Sequence, residues 1–472
     1  MDIVRYRNFC CDLASRGKEW AWSDFFGATW YNIINKVVSL SIEIEKIEIM
    51  LTLKQLRDNK QEAIRRLQKK GVDAEPIIAR VEELDDRRKA LQAELDACLA
   101  EQNQAAKQIG ALMGKGLKDE AEAKKQQVAQ LKSRSSELKE ESERVAEELQ
   151  TEIVKLPNMP AEIVPEGRTA EDNLVVKLVE NYTEIPGEAL PHWELAKKYD
   201  IIDFDLGVKI TGAGFPVYKG KGARLQRALI NYFLDCNARA GYQEVEPPIM
   251  VNEASGFGTG QLPDKEGQMY HATADGFYLV PTAEVPVTNI FRDVILEQSE
   301  LPVKMTAYTP CFRREAGSYG KDVRGLNRLH QFDKVEIVQV SHPDKSYEAL
   351  DAMVAHVESI VASLGLPYRI LRLCGGDMSF TSALTYDFEV YSEAQKRWLE
   401  VSSVSNFESF QANRLKLRYR DDNRKTQLAH TLNGSSLALP RIVAALLENN
   451  QTEEGIRIPD VLIPYTGFDF IK

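Results

Sequence analysis

The amino-acid sequence predicts an α+β protein that begins with an antiparallel α-helical coiled-coil hairpin and continues into a mostly antiparallel β-sheet flanked by helices. Three observations predict this fold class. Two long segments carry apolar residues at spacings of three and four, a proline-containing linker follows, and short β-branched and aromatic runs then alternate with helical segments. Because 472 residues exceed what a single hydrophobic core usually holds, we expect at least two domains.

Two apolar seams predict the hairpin, one from Pro76 to about Gly110 and one from about Lys118 to Gln150. Arg88 interrupts the first seam, and the glycine-rich segment 110–116 provides the turn. The seam positions are Val81, Leu84, Leu91, Leu95 and Cys98 in the first helix, and Val128, Leu131, Ser135, Leu138, Ser142, Val145 and Leu149 in the second. At 1.5 Å per residue, a helix of about 40 residues extends about 60 Å. That length fits a dimerisation coiled coil and equally an arm that reaches a partner.

Composition divides the chain into four segments. Residues 1–49 are an atypical N-terminal extension with three of the five tryptophans, residues 50–160 are the helical hairpin domain, residues 161–189 are a linker region, and residues 190–472 are the sheet domain. The extension is either an appended interaction segment or sequence upstream of the true start. We favour the second interpretation, because Met50-Leu51 opens a fresh polar and apolar pattern.

Charge and cysteine content narrow the class of protein. The net charge of −11 does not point to a nucleic-acid binder, although local basic patches can still bind one. None of the six cysteines forms a C-x-x-C pair, so no zinc site is indicated. The sequence has neither a signal-peptide core nor an apolar run of about 20 residues that would span a membrane. We therefore expect a cytoplasmic protein.

Two segments have the composition of an anion-binding site. Arg313 and Glu315 stand at the end of a predicted strand, and a polar loop leads to a second strand at 330–336, which makes a hairpin. Near the C-terminus, a strand ending in Asn433-Gly434-Ser435 passes into a helix that carries Arg441. Taken alone, a surface ion pair and an ordinary helix N-cap explain these patterns equally well. No P-loop occurs, and the glycines at 256, 258 and 260 do not fit a dinucleotide-binding turn.

Together, these segments resemble the three signature motifs of class II aminoacyl-tRNA synthetases. Motif 1 matches residues 241–248, a strand ending in proline at the dimer interface of that class; motif 2 is the Arg313 hairpin, and motif 3 ends at Arg441. Within the class, residues 258–263, 281–286, 330–332 and 400–407 are similar to seryl-tRNA synthetases of the bacterial type, as is the hairpin. The resemblance covers residues 50–472. Pro440 departs from it, because the residue before the motif 3 arginine is normally small or apolar and variable.

The resemblance implies a serine–tRNA ligase. Such an enzyme uses ATP and Mg²⁺ to convert L-serine to seryl-adenylate and then transfers serine to tRNA-Ser and, where it exists, to tRNA-Sec. The resemblance further implies a cytoplasmic homodimer in which the hairpin of one subunit embraces the long variable arm of tRNA bound at the other subunit's active site.

The resemblance also assigns site residues, position by position. The residues expected to bind serine are Thr282, Ala283, Glu284, Arg313, Glu336 and Ser435. The residues expected to bind ATP are Arg313, Arg314, Glu315, Phe332, Glu400, Val401, Ser402, Ser403 and Arg441. Arg313 would hold the α-phosphate and the serine carboxylate, Glu315 the adenine amino group and Arg441 the γ-phosphate, while Phe332 would stack on adenine. Glu400 and Ser403 would bind Mg²⁺.

Two other functions fit parts of the sequence. One is a synthetase-like enzyme that loads an amino acid onto a carrier protein, but such homologues lack the tRNA-binding arm predicted here. The other is a scaffold or RNA-binding protein built on an inactive synthetase fold. Retention of Arg313, Glu315, Glu400 and Arg441 argues against that function.

Overall fold

The computed structural model of the chain describes residues 53–182, 185, 187–264, 267–316 and 324–472. The predicted extension, residues 1–49, lies outside the described residues. None of the described helices is both long enough and apolar enough to cross a membrane.

The N-terminal part is helical, as predicted. Its helices are α1 Leu53–Asp58, α2 Lys60–Lys69, α3 Glu75–Gly114 and α4 Lys118–Ile153. The two long helices pack against each other along the predicted seam. The buried seam positions are Val81, Leu84, Leu91, Cys98, Leu138, Val145 and Leu149. The antiparallel hairpin is therefore confirmed.

The turn of the hairpin begins later than predicted. The sequence placed it at 110–116, whereas helix α3 continues through Gly110 and ends at Gly114. A glycine inside a helix costs only about 1 kcal/mol relative to alanine, which is too little to end a helix that packs against a neighbour. The chain reverses at Gly116, which has a φ of 77°. Glycine suits this position because few other residues adopt that conformation without strain.

The interruption of the first seam by Arg88 has a structural explanation. Asp85 is fully buried, and its carboxylate pairs with Arg88 at 2.8 Å, with Lys89 at 2.7 Å and with Arg57 of helix α1 at 2.8 Å. A buried carboxylate needs such partners, because an unpaired charge away from water is costly. Asp85 thereby fastens helix α1 to the base of the hairpin.

The C-terminal part is built on an eight-stranded sheet with the order β1-β11-β12-β13-β16-β10-β9-β4. Neighbouring strands pair antiparallel except β4 and β9, which pair in parallel, so the predicted mostly antiparallel sheet is confirmed. These strands are β1 Leu174–Val179, β4 Gln243–Glu244, β9 Val303–Phe312, β10 Gln331–Ser341, β11 Tyr368–Arg372, β12 Leu384–Ser392, β13 Arg397–Glu408 and β16 His430–Ala438.

Shorter elements surround this sheet. The remaining strands are β2 Ile202–Asp203, β3 Val217–Tyr218, β5 Met250–Val251, β6 His271–Ala272, β7 Phe277–Leu279, β8 Ile295–Glu297, β14 Arg418–Arg420, β15 Thr426–Leu428, β17 Gln451–Thr452, β18 Gly455–Arg457 and β19 Phe470–Ile471. The helices are α5 His192–Lys198, α6 Phe204–Ile210, α7 Gly220–Arg239, α8 Glu253–Thr259, α9 Glu284–Asn289, α10 Ser346–Ser363, α11 Phe410–Leu415, α12 Leu439–Asn449 and α13 Ile463–Thr466. Helices α7, α10 and α12 contribute Phe233, Val357 and Val443, among others, to the main buried core.

The predicted linker at 161–189 is only partly a linker. Its residues Leu174–Val179 form β1, which pairs with β11 at one edge of the main sheet. The side chains of Leu174, Val175 and Val176 are exposed, so this strand shows none of the alternation between apolar and polar residues that marks a half-buried strand. Its β-branched residues indicate a strand, whereas the prolines on either side of it indicate a linker.

We predict that Asp85→Ala destabilises the chain by about 1–2 kcal/mol, because three cations lose their shared carboxylate while remaining partly exposed to water. Asp86→Ala is the matched control, since Asp86 is exposed and, among the described residues, forms an ion pair with Arg57 alone. Its expected effect is within about 0.5 kcal/mol. Urea unfolding followed by far-UV circular dichroism measures both variants. Equal stability of the two would contradict the role given to Asp85.

Candidate active site

A cavity of about 710 Å³ opens beside strands β9, β10, β13 and β16 and the first turn of helix α12. All the predicted site residues except Ala283 and Arg314 line it. Residues that lie more than 150 positions apart in the chain therefore meet at one place, as the sequence analysis expected.

One end of the cavity holds two buried carboxylates and one ammonium group. Glu336 and Lys334 lie two residues apart on β10, so their side chains share one face of the strand. The Lys334 Nζ atom lies 2.7 Å from Glu336 Oε2 and donates a hydrogen bond of 2.8 Å to Thr282 Oγ1. The second carboxylate belongs to Glu284, the first residue of helix α9. Glu284 is 6% exposed.

The hydrogen-bond partner of the Glu284 carboxyl group is the neutral amide of Gln411. The Oε1 atom of Glu284 accepts a hydrogen bond of 2.6 Å from Gln411 Nε2, and Thr431 donates to the oxygen of the same amide at 2.7 Å, which fixes the orientation of Gln411. Burial, reinforced by the charge of Glu336, raises the pKa of Glu284 to about 7. Near neutral pH, this carboxyl group is poised to exchange a proton or to accept a cationic ligand.

Strand β16 closes this end of the cavity. Ser435 lies opposite Glu336 in the register of β10 and β16, and its hydroxyl donates to Glu336 Oε2 at 3.4 Å. Asn433, two residues earlier on the same face, donates to Glu336 Oε1 at 3.1 Å. Both oxygens of Glu336 are therefore engaged, and its carboxylate is oriented by the sheet.

Three of these polar residues were missed by the sequence analysis: Lys334, Gln411 and Asn433. A signal was available for two of them. Lys334 stands two residues before Glu336 in the same predicted strand, and Asn433 stands two residues before Ser435, so period-two spacing places each beside a predicted site residue. Gln411 offers no comparable local signal, because its partner Glu284 is 127 residues away.

Arg313 lies just beyond the end of β9. Its Nε atom donates a hydrogen bond of 3.3 Å to the carbonyl oxygen of Pro281, and its guanidinium lies 5.2 Å from the centre of the Phe332 ring. Stacking on an aromatic ring and one backbone contact hold the fork of donors in place. The remaining donors are available to an anionic ligand in the cavity.

Two predicted site residues do not line the cavity. Ala283 is fully buried in a small apolar cluster with Val287 and Val338. The guanidinium of Arg314 lies 5.8 Å from the centre of the Tyr270 ring, and its backbone N–H donates to Gln268. Both residues support neighbours that do face the cavity.

Glu315 stands in the left-handed backbone region, with a φ of 47°. A residue with a Cβ atom adopts that region at a cost of about 1–2 kcal/mol, and such strain concentrates at functional sites. The conformation turns the carboxylate into the cavity, where Arg328 donates to it at 3.1 Å. Two residues after Arg313, the chain thus presents an acceptor group beside a donor group.

Arg441 lies in the first turn of helix α12, where unpaired N–H groups and the helix dipole favour an anion. Its Nε atom donates to the carbonyl oxygen of Asn327 at 3.1 Å, and Nη1 donates to that of Glu400 at 2.8 Å. Pro440, the departure noted in the sequence, occupies the second position of the helix. Its missing N–H is not needed there, so it does not disturb Arg441.

Strand β13 contributes a group of oxygen ligands. Ser403 Oγ lies 3.4 Å from Glu400 Oε1, and both residues line the cavity with Val401 and Ser402 between them. Behind them lies the carboxyl group of Asp387, which faces Ser403 across the β12–β13 pairing. Burial, reinforced by the charge of Glu400, raises the pKa of Asp387 well above its usual range. Asp387 Oδ1 has no hydrogen-bond partner among the described residues.

This donor set fits a magnesium ion. Mg²⁺ prefers hard oxygen ligands and is usually held by one or two carboxylates together with substrate phosphates and water. A hydroxyl and a carboxylate on one strand, backed by a second carboxyl group, match that preference. Within the described ranges, no three His, Cys, Asp or Glu side chains form a metal-binding group, so the fit rests on a site with few protein ligands.

Comparisons with known proteins agree with this geometry. The profile of the tRNA synthetase class II core domain (G, H, P, S and T) matches residues 269–450, and that of the seryl-tRNA synthetase N-terminal domain matches residues 50–160. A serine–tRNA ligase from Salinibacter ruber is 50% identical over 424 residues, which are 89% of this chain and 98% of that protein. One from Chlorobaculum parvum is 45% identical over 90% of this chain and the whole of its own length.

A solved structure is also similar. The seryl-tRNA synthetase of Pyrococcus horikoshii, crystallised with ATP, superposes with a TM-score of 0.83 at 31% sequence identity. The match covers 89% of this chain and 99% of that one.

We predict that Glu284→Gln raises the stability of the chain at pH 8 and leaves it nearly unchanged at pH 4. A carboxyl group whose pKa rises from 4.5 when unfolded to about 7 when folded binds more protons in the folded state between those values. Its contribution to stability is therefore present below pH 4.5 and lost as the pH rises to about 7. Glutamine escapes this loss, which amounts to roughly 3 kcal/mol at most.

Thermal unfolding at the two pH values measures the effect. Glu453→Gln, at an exposed position, is the control and should shift the melting temperature by less than about 1 °C at either pH, as surface substitutions do. A Glu284→Gln variant that is no more stable than the starting protein at pH 8 would show that Glu284 is ionised there without cost.

Proposed function

The chain belongs to the serine–tRNA ligase family of class II aminoacyl-tRNA synthetases, and we propose how its cavity performs that activity. One observation carries the proposal: a single cavity combines two buried carboxylates at one end with two arginines and a helix N-terminus farther along. The carboxylates suit the ammonium and hydroxyl groups of serine. The arginines and the helix start suit the phosphates of ATP.

We assign the serine subsite to Glu284, Glu336, Thr282 and Ser435. Serine presents an ammonium group and a hydroxyl group, and both can donate hydrogen bonds to carboxylates. Lys334 compensates the charge of Glu336, whereas the hydrogen-bond partner of Glu284 is the neutral amide of Gln411. Glu284 is therefore the carboxylate that benefits most from the arrival of a cationic amino group.

We assign ATP to the arginine-rich part of the cavity. Arg313 would hold the α-phosphate and the carboxylate of serine, and Arg441 would hold the γ-phosphate at the start of helix α12. Arg313 covers one face of Phe332, so adenine would stack on the other face. Glu315 would accept from the adenine amino group, and Val401 and Ser402 would complete the wall. In this proposal, Ala283 and Arg314 act only through the positions of their neighbours.

We assign Mg²⁺ to Glu400 and Ser403. The charge of the bound ion would offset the negative charge on the phosphate oxygens. Asp387 would hold the Ser403 hydroxyl in place from behind the strand.

The chemistry requires positioning more than proton transfer. The carboxylate of serine attacks the α-phosphorus in line, a new P–O bond forms, and pyrophosphate leaves with the electrons of the broken P–O bond. Serine arrives with its carboxylate ionised, so no residue has to remove a proton in this step. Arg313 and Arg441 neutralise charge that is shared between attacking and leaving oxygens. A ribose hydroxyl at the end of the tRNA then attacks the seryl carbonyl, and AMP leaves.

We propose tRNA-Ser, and tRNA-Sec where it exists, as the partner of the hairpin. The hairpin carries cations along its length, among them Lys124, Lys125 and Lys132, and phosphate contacts need only such local charge. In this proposal, the hairpin is an arm that reaches a partner rather than a dimerisation coiled coil. The cytoplasm, where these substrates meet, is the proposed compartment.

We further propose a homodimer that associates along helix α7 and strand β4. Among the described residues, β4 forms the edge of the main sheet opposite β1, and Ile249 and Met250, a few residues beyond it, expose apolar side chains. An open edge strand next to exposed apolar groups favours pairing with a second chain. Residues 241–248, the segment that matches motif 1, run through this surface.

We predict that Arg313→Ala and Arg441→Ala each reduce serine-dependent ATP–pyrophosphate exchange at least about 10²-fold, because each removes a preorganised donor to phosphate. Arg457→Ala, on an exposed residue, should leave exchange unchanged. Melting temperatures establish that the variants fold. Near-normal exchange in either active-site variant would rule out its phosphate role, and an unaltered chain that exchanges pyrophosphate only with another amino acid would refute the proposed substrate.

We predict that deletion of residues 76–150 spares pyrophosphate exchange and removes tRNA charging, since the cavity is built from later residues while the arm reaches distant parts of the tRNA. Mixed dimers sharpen the test. An arm-deleted chain is paired with a full-length chain carrying Arg313→Ala, and dimers that bear both affinity tags are isolated. Recovered charging shows that the arm serves the other subunit. Mixed dimers without charging show that it acts within its own subunit or does not bind tRNA.

A further inference from the structure

The loop formed by residues 379–383 is part of the cavity wall, yet it is held from outside the sheet domain. Ser379, Phe380 and Thr381 line the cavity. The carbonyl oxygen of every residue in the loop accepts a hydrogen bond from Lys70, Asn158 or Ala161, all of which precede the first strand of the sheet. The base of the hairpin domain therefore fixes the backbone of this loop.

Lys70 directly follows helix α2 and makes the most concentrated contact. Its Nζ atom donates to the carbonyl oxygens of Ser379 at 2.6 Å, Ser382 at 2.8 Å and Phe380 at 3.3 Å. An ammonium group has three N–H donors and no acceptor. Three carbonyl oxygens converging on it use all its donors, and an apolar side chain would remove all three of these hydrogen bonds.

Asn158 holds the centre of the loop. It is 3% exposed, its backbone N–H donates to Phe380 at 2.9 Å, and its side-chain amide donates to Thr381 at 2.9 Å and to Phe407 at 2.7 Å. Its own Oδ1 atom accepts from the N–H of Met159. Phe407 also lines the cavity, so one amide group joins two segments of the cavity wall.

The loop packs against the elements that position the proposed serine subsite. A Cβ atom at Gly260 would lie 2.4 Å from the Cγ2 atom of Thr381, so the loop packs directly onto the end of helix α8. The Phe380 ring contacts the Phe410 ring edge-on, with 6.2 Å between their centres. The residue after Phe410 is Gln411, which donates to Glu284 at 2.6 Å. A chain of direct contacts thus runs from Lys70 to Glu284.

We propose that Lys70 and Asn158 are positioning residues for amino-acid binding: by clamping the 379–383 loop, they hold helices α8 and α11 where Gln411 orients Glu284. This inference rests on the proposed assignment of Glu284 to the serine subsite. The residues assigned to ATP directly follow β9 or lie on β10, on the part of β13 that precedes Phe407, and on helix α12. Release of the loop therefore weakens serine binding selectively.

Lys69 supplies a matched control. It also donates to two backbone carbonyl oxygens, those of Glu162 at 2.8 Å and Val164 at 2.9 Å, but these lie in the segment that follows the hairpin. The two lysines are neighbours with the same chemistry. They differ in whether the backbone they hold is part of the cavity wall.

The test compares Lys70→Met, Lys70→Arg and Lys69→Met in full-length protein, with KM for serine and KM for ATP measured by pyrophosphate exchange. Lys70→Met should raise the KM for serine about tenfold, the factor expected if the competent loop is populated about one tenth of the time. The KM for ATP and kcat should stay within about twofold. Lys70→Arg should restore most of the serine affinity, and Lys69→Met should leave both constants unchanged.

Asn158→Asp provides an independent second variant. It keeps the acceptor used by Met159 but loses both side-chain donors, and it should repeat the selective rise in the KM for serine. The inference is overturned if the KM for serine is unchanged, if the ATP and serine constants change together, if Lys69→Met has the same effect as Lys70→Met, or if neither Lys70→Met nor Asn158→Asp folds. Unaltered protein measured in the same assay separates the two hypotheses. If it does not activate serine, the proposed function fails; if it does and Lys70→Met behaves normally, only the positioning role fails.

Discussion

The burial of two like charges at one end of a cavity is the constraint on which the rest of the site depends. Glu284 and Glu336 are removed from water, and the charge of Glu336 makes ionisation of Glu284 more costly, while Lys334 forms an ion pair with Glu336. A carboxylate left with a neutral partner is unfavourable when the site is empty and favourable once a cationic group enters. In the proposed function, the pocket therefore selects a cationic ligand because its charges are not balanced without one.

This charge imbalance requires a rigid scaffold, since a flexible pocket would admit water or let the carboxylates move apart. The antiparallel sheet provides that rigidity. On β10 and β16, the side chains that face the cavity alternate with side chains in the core, so the orientation of Glu336 is coupled to buried residues such as Val335 and Ile337. Residues two positions apart on paired strands then form a fixed grid, in which Asn433 and Ser435 both contact Glu336.

The sequence alone was sufficient for features whose signals are local and periodic. The hairpin follows from apolar spacing of three and four, and the motif residues follow from the resemblance of short segments to the motifs of class II aminoacyl-tRNA synthetases. The sequence was insufficient where an interaction joins distant segments. Gln411 and Glu284 are 127 residues apart, and Lys70 lies more than 300 residues from the loop it holds. The edge strand β1 was missed for a different reason, because its exposed side chains remove the alternation that identifies a strand.

The charge pattern of the arm limits how it can bind RNA. Arg87 pairs with Glu141 and Arg134 with Glu94 across the hairpin, whereas Arg88 is committed to the buried Asp85. A phosphate that approaches Arg87 or Arg134 therefore replaces a carboxylate partner rather than meeting a free cation, which lowers the net gain from each contact. A contact between Arg88 and RNA would replace its ion pair with the buried Asp85. In the proposed role of the arm, an acidic chain with paired cations would bind a polyanion through shape and reach more than through charge density, which favours a long rigid arm over a basic patch.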